Sequence, residues 1–384
     1  MKVTKLFSEF FESEKAGGIV LVVCTMLSLL LANSGFRDDY IGFWHIDING
    51  HSLSHWVNDG LMAIFFLLIG LELEREIYKG ELSDIKNALL PLSAAVGGMV
   101  LPAAIFMIFN YGAETQAGAG IPMATDIAFS LGILSLLGNK VPASLKVFLT
   151  ALAVVDDLGA IIVIALFYTK SIAWMNLFIS LGIWLVLLLF NRLKVHNLIV
   201  YIVGGIGMWY FMLHSGVHAT ITGVLLAFAV PFGDGGPKTA SYLLQHWLHK
   251  PVAFIILPIF ALANTAVVIG AGWEDTLTQP LGAGIITGLV AGKPLGILLM
   301  CFIAVKSRIC NLPEDIKWSH ILGAGLLAGI GFTMSIFISL LAFEDDVIIN
   351  NSKFLILIAS LAAGLFGFCW LFLTLKNQQV HKFD

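Results

Sequence analysis

Charge is what this sequence has least of. Only 12% of its 384 residues are Asp, Glu, Lys or Arg, against roughly 25% in soluble domains. With 58% of the chain hydrophobic, a water-soluble globule is excluded and a polytopic membrane protein is left. Cysteine is also scarce. Cys24, Cys301, Cys310 and Cys369 form no Cys-x-x-Cys motif, which argues against a metal or redox site and against a disulfide framework. The formal net charge of -4 gives no basic surplus for nucleic acid, which is not an expected partner. No small-residue cleavage site follows the first apolar run, Ile19 to Leu31, so we read that run as a retained span and not as a removed signal.

What the chain has is long apolar stretches and 38 glycines, a composition suited to closely packed membrane helices. Stretches near 15–32, 57–78, 88–109, 120–138, 144–168, 172–191, 197–213, 217–231, 242–268, 281–304, 319–343 and 352–375 approach the twenty or so residues needed to cross a hydrocarbon core of about 30 Å. About twelve spans are expected, the short and glycine-rich seventh and eighth being the weakest. With the N-terminus inside, one face carries seventeen Lys and Arg residues and the other only Arg37, Lys170 and Lys353. That asymmetry places both termini in the cytoplasm. Lys293 belongs to neither face. The expected fold class is an all-α polytopic membrane protein, one transporter domain over residues 1–384.

Between the first two spans, residues 42–55 alternate apolar and polar around Asn49-Gly50, a hairpin signal. An isolated hairpin is marginal in water, so this one is expected to pair with its counterpart in a second subunit or to lie on its own membrane domain.

The chain is organised around Lys146 to Phe167, an apolar helix with two adjacent acids, Asp156 and Asp157, at its middle. A charged Asp at a bilayer centre costs about 2.5 to 3.5 kcal/mol on insertion scales, so an ion or proton site is the default reading. Structural carboxylates held by hydrogen bonds within a bundle are the competing one. Ala153 and Ala160 flank both acids at helical spacing and admit another backbone closely, so the acids are expected to face protein or a water-filled cavity.

Two spans carry breakers near their centres. In the fourth, Pro122 precedes Thr125 and Asp126; in the eleventh, Gly329 and Gly331 lie together. Interrupted segments in corresponding positions of two halves point to a transporter's site. The related units would be residues about 88–168 and 281–375, in opposite orientation, although Pro and Gly are also tolerated in ordinary membrane helices.

Asp126, Asp156, Asp157 and Lys293 therefore sit at membrane depth, and unpaired they would cost on the order of ten kcal/mol together. A broken helix exposes partial charges of about half an elementary unit at its two inner ends. Asp126 suits the positive end and Lys293 the negative one, although Lys293 could equally pair with either acid of the central pair. Adjacent carboxylates in a low dielectric cannot both ionise cheaply. Protons and a hard monovalent cation then compete for them, and that competition is already an exchange mechanism. An intramembrane aspartyl protease would need its acids on facing helices in a Gly-x-Gly-Asp type context, which none of the three has. A passive cation channel would need a continuous pore. No enzymatic role and no cofactor are expected.

Ala151-Leu-Ala-Val-Val-Asp-Asp-Leu-Gly-Ala160, Ala124-Thr-Asp-Ile-Ala-Phe-Ser-Leu-Gly132, Gly292-Lys-Pro-Leu-Gly296, Ser215-Gly-Val-His-Ala-Thr220 and Gly329-Ile-Gly-Phe-Thr-Met-Ser335 resemble the NhaA family of Na+/H+ antiporters of bacterial inner membranes, over nearly the whole chain. The resemblance implies export of Na+ or Li+ for more than one H+, activation at alkaline pH, and a homodimer whose contacts include the hairpin. It makes Asp156 and Asp157 the cation and proton site, with Thr125 and Asp126 beside it and Lys293 as charge partner. It also assigns a pH response to Glu72, Arg75 and Glu76, to His246 and His249, and to His218. For the first three, ordinary helix-end ion pairing is the alternative; for His218 it is a packing role between helices. Gln245 stands where the family commonly has Glu, which removes one titratable group.

Overall fold

In hydrocarbon a backbone has no water to bond, so apolar runs of this length close their own N–H and C=O groups into helices. The structure, a computed structural model, describes residues 5–168, 172–270 and 272–380. Its helices are α1 (Lys5–Ala32), α2 (Arg37–Trp44), α3 (Leu53–Tyr78), α4 (Ile85–Asn110), α5 (Ile127–Leu136), α6 (Ala143–Phe167), α7 (Trp174–Arg192), α8 (Leu198–Leu213), α9 (Ile221–Ala229), α10 (Ala240–Asn264), α11 (Trp273–Thr278), α12 (Pro280–Lys306), α13 (Trp318–Ala328), α14 (Phe332–Ala342) and α15 (Asp346–Val380). Lys2, Lys170 and Lys382, counted in the charge asymmetry, lie outside the described residues.

Among the described residues seven helices are long and apolar enough to cross a membrane, or up to ten if each of three bent pairs is one span. The bends are 119° between residues 16–32 and α2, 43° between the 3-10 run Glu114–Met123 and α5, and 48° between α13 and α14. The difference from twelve lies in the seventh and eighth stretches. There α8 has 16 residues and α9 only nine, and nine residues at 1.5 Å each reach about 14 Å, less than half a hydrocarbon core.

The stretch 42–55 is less strand than its alternation suggests. Residues up to Trp44 belong to α2, whose first turn carries Asp38 and Asp39, acids that suit the positive end of a helix. A two-stranded antiparallel ladder remains, β1 (Asp47–Ile48) with β2 (His51–Ser52). Asn49 and Gly50 turn it with φ of 57° and 84°, the left-handed pair that a two-residue hairpin needs. The indole of Trp56 donates to Ile48 O at 3.0 Å and ties the ladder to α3.

The tightest crossing in the molecule joins α4 to α12. A Cβ placed on Gly97 would lie 2.1 Å from Gly296 O, and one on Gly296 would lie 2.1 Å from Gly97 O. Only two glycines allow backbones this close, and the contact fixes Lys293 three residues away on α12. Gly296→Val is expected to push the helices apart at a cost of about 1 to 3 kcal/mol, the usual range for overpacking. A lower unfolding temperature of the purified protein in detergent measures it; an unchanged one would remove this crossing from the framework of the site.

Candidate functional site

Two interrupted helices meet at the centre. After Pro122 the 3-10 run ends at Met123; Ala124 and Asp126 are extended and α5 starts at Ile127. In the second break, Gly329 to Gly331 separate α13 from α14. Each break leaves backbone groups that no helix satisfies, and each satisfies the other. Asp126 N–H donates to Ile330 O at 2.7 Å, Ser130 Oγ to Leu327 O at 2.8 Å and Ser335 Oγ to Ile121 O at 2.7 Å.

Asp126 caps two helices at once. One carboxylate oxygen accepts from Phe129 N–H at the start of α5, at 2.9 Å. The other accepts from Thr333 N–H at 3.1 Å and from its hydroxyl at 2.5 Å, at the start of α14. An anion at two helix N-termini is a favourable placement, and Asp126 is 2% exposed.

Lys293 serves the opposite end. It follows a π-helical turn, Gly288–Gly292, inside α12, and its ammonium is fully buried. It donates to Met123 O, the carbonyl end of the first break, and lies 2.9 Å from Asp156 Oδ2. Of the two acids, the pairing thus falls on Asp156. The same oxygen lies 2.7 Å from Thr125 Oγ1, which is 3.0 Å from Ala328 O; a hydroxyl has one proton to give, so it serves one acceptor at a time.

Asp157 stands differently. Successive residues on a helix are turned about 100° apart, so it faces away from Lys293 into a cavity of about 30 Å³ shared with Asp126, Thr333, Glu72 and His249, room for one water molecule. Its Oδ1, like Asp156 Oδ1, is buried and accepts no hydrogen bond among the described residues; the two acids differ in that Asp156 Oδ2 is held by Lys293 and Thr125. The centre is therefore one carboxylate paired with an ammonium beside one that faces a cavity whose wall carries Asp126, Thr333, Glu72 and His249 among apolar side chains.

Thr125, Asp126, Asp156, Asp157 and Lys293 are brought together, and Glu72 and His249 join them at the cavity wall, 3.9 Å from each other. Arg75, Glu76 and His246 lie towards the end of α3 that carries Lys79. The Arg75 guanidinium donates to Gly235 O at 3.1 Å and covers the Tyr242 ring. Glu76 accepts from Glu81 N–H at 3.0 Å, and His246 stacks on Tyr242. His218 lies apart, its Nε2 3.2 Å from Tyr168 O beyond the far end of α6. Sequence reasoning missed Thr333 and Glu74. Thr333 carried a signal, a hydroxyl two residues after the glycine break, much as Thr125 follows Pro122.

With this geometry in view, a family model described as Na+/H+ antiporter 1 matches residues 8–371. A protein of Flavobacterium psychrophilum named Na(+)/H(+) antiporter NhaA is 64% identical over 382 residues, covering 100% of each chain. Na(+)/H(+) antiporter NhaA 1 of Flavobacterium johnsoniae is 65% identical over 97% of each chain. A Cytophaga hutchinsonii protein, again named Na(+)/H(+) antiporter NhaA, is 62% identical over 98% of this chain and 97% of its own.

Removing one partner of a buried ion pair strands the other charge and costs about 3 to 5 kcal/mol. Lys293→Met should therefore lower the unfolding temperature of the purified protein sharply, while the double variant Lys293→Met with Asp156→Asn should recover much of the loss. A double variant less stable than either single one would show that the pair is not a coupled unit.

Proposed function

The chain belongs to the Na+/H+ antiporter 1 family and is a Na+/H+ antiporter of a bacterial membrane, and from that premise we propose that exchange runs through competition of the cation and protons for Asp156 and Asp157. The supporting observation is the asymmetry of the two acids. Asp156 is held by Lys293 and Thr125, whereas Asp157 opens onto a cavity with Asp126 and Thr333. A Na+ or Li+ entering there meets Asp157 first and then competes with the Lys293 ammonium for Asp156. Protons arriving from the other side neutralise the same carboxylates and release the cation, so inward proton flow drives the cation out. Two titrating carboxylates allow more than one proton per cation, which makes the exchange electrogenic.

The wider arrangement follows the same reading. About twelve spans, among them two inverted units of three at about 88–168 and 281–375, would bring the two interrupted helices into the crossing described above, in an inner membrane with both termini cytoplasmic. Glu72, Arg75, Glu76, His246 and His249 would sense cytoplasmic pH, with His218 acting from the far end. The ladder at residues 47–52 would pair with that of a second subunit. No cofactor enters the cycle. Membership in an antiporter family leaves the protease and channel readings without support.

Vesicles carrying an imposed pH gradient test this. Addition of Na+ or Li+, but not K+, should dissipate the gradient in the parent protein, and Asp157→Asn should abolish the response. A variant that exchanged as well as the parent would end the competition mechanism and return the acids to a structural role.

A further inference from the structure

At the end of α3 away from Lys79, three helices are joined through one buried amide. Asn264, the last residue of α10 and 1% exposed, donates from Nδ2 to Asn58 Oδ1 at 2.7 Å and to Phe260 O at 3.1 Å. A backbone carbonyl can only accept, so Phe260 O fixes which side of the amide carries the nitrogen. The Asn264 oxygen is left for Lys353 on α15, whose ammonium lies 3.5 Å away. Asn264 is the one polar partner of Lys353 among the described residues. Asn58 belongs to a π-helical turn of α3, Trp56–Leu61, an irregularity frequent at functional sites. Neither the ion site nor the proposed pH cluster uses any of the three.

We propose that Asn58, Asn264 and Lys353 are positioning residues for exchange: their bridge ties α15 to the α3 and α10 wall and holds the end of the cation path away from Lys79 shut while Asp157 is loaded from the Lys79 face. The bridge joins two different parts of the site. α15 goes with the interrupted helices, because Phe332 N–H at the start of α14 donates to Ser360 Oγ at 3.1 Å, about two turns along α15 from Lys353. α3 and α10 supply cavity wall, with Glu72 and His249 nearer Lys79 and Phe65 and Leu257 further from it. Beyond Leu257 the path is filled. Phe66 on α3, Phe260 on α10 and Phe337 on α14 meet there, the Phe337 ring centroid 5.4 Å from that of Phe66 and 6.5 Å from that of Phe260. None of the three is more than 1% exposed. The bridge lies about one turn further out, since Asn264 is four residues past Phe260. Asn350 on α15 adds a second tie there, exchanging bonds of 3.3 and 3.2 Å with the Val268 backbone. Packed rings bar a cation only while the helices that carry them stay together, and at this end polar groups hold α15 against α10. Such a contact suits a part that opens and closes, because its amides and ammonium meet water when it parts and are not left unpaired in an apolar surround.

This rests on the reading that the cation is carried at Asp157, so a readout without transport separates the claims. In the full-length chain with Cys24, Cys301, Cys310 and Cys369 replaced by Ala, Met62→Cys places one thiol on α3 between Asn58 and Phe66, at a position 0% exposed. A membrane-impermeant maleimide added on the Lys353 face of oriented proteoliposomes should label it slowly in that background, and slowly again with Lys353→Arg, which keeps the cation. With Lys353→Met the labelling should be at least about fivefold faster, the lower bound of ordinary couplings between sites. Half-saturating Na+ for exchange measured from the Lys353 face should fall by a similar factor, because more molecules are open on that side. Asn264→Leu should act in the same direction on both readouts. Labelling of Lys353→Met as slow as in the background, or a reduced maximal rate at unchanged half-saturating Na+, would overturn the proposal. Adding Asp157→Asn should leave the labelling difference intact. Exchange by Asp157→Asn would overturn only the reading of the central site.

Discussion

A charge inside this molecule survives only where another charge, a helix end or a hydroxyl meets it, and that requirement organises the centre. The Lys293–Asp156 pair is the pivot. Its ammonium answers both a carboxylate and the carbonyl end of an interrupted helix, so the ion pair and the break stabilise each other. Taking away the break would leave Lys293 with less to bind, and taking away Lys293 would leave Met123 O and Asp156 exposed to an apolar surround. Asp126 does the mirror task for two helix N-termini. The arrangement concentrates four ionisable groups where the two breaks cross.

The tolerance for broken backbone follows from the same accounting of polar groups. Neither interruption is solvated by lipid; carbonyls of one accept from side chains and backbone of the other. Short hydroxyl side chains are the donors because Ser and Thr reach a neighbouring carbonyl without bringing charge. Small residues permit the approach. A Cβ on Gly329 would lie 2.4 Å from Leu289 O, close to the crossing.

Much of this was legible in the sequence, for identifiable reasons. Scarcity of charge gave the membrane class, and an Asp-Asp pair in an apolar run, with the motifs around it, gave the antiporter family. The breakers Pro122, Gly329 and Gly331 marked where backbone groups would need outside partners. What stayed hidden depends on rotation and on bends. Which acid Lys293 meets is set by how α6 and α12 are turned towards each other, and linear spacing carries no such angle. The span count depends on bends of 43°, 48° and 119° and on two short segments. The extent of the ladder was overread because alternation over Gly42 to Trp44 also fits the last turn of a helix.

Glu72 and Glu74 show the same limit most sharply. In the sequence they are two members of one acidic run, in which helix-end ion pairing is an alternative for Glu72 and nothing singles out Glu74. Two positions on a helix are about 200° apart, so one carboxylate reaches the ion cavity with His249 while the other is driven into the contact with Ser241. The helix that carries them joins the central site to its outer face. Its partner α10 contacts both, and a π-helical turn at Val252–Ile256 lies directly beside the cavity wall. A π turn is a local loosening of the i→i−4 ladder, and it divides α10 into a segment that meets Glu74 and a segment that reaches Phe260 and Asn264. The fixed part of the site, Lys293, Asp156 and the crossed breaks, is built from helices locked by glycine contacts. The α3 to α10 wall carries a buried acid, Glu74, that accepts a hydrogen bond from the neutral Ser241 hydroxyl. The frame keeps the two carboxylates distinct: Asp156 stays with Lys293 and Thr125, and Asp157 stays at the cavity wall.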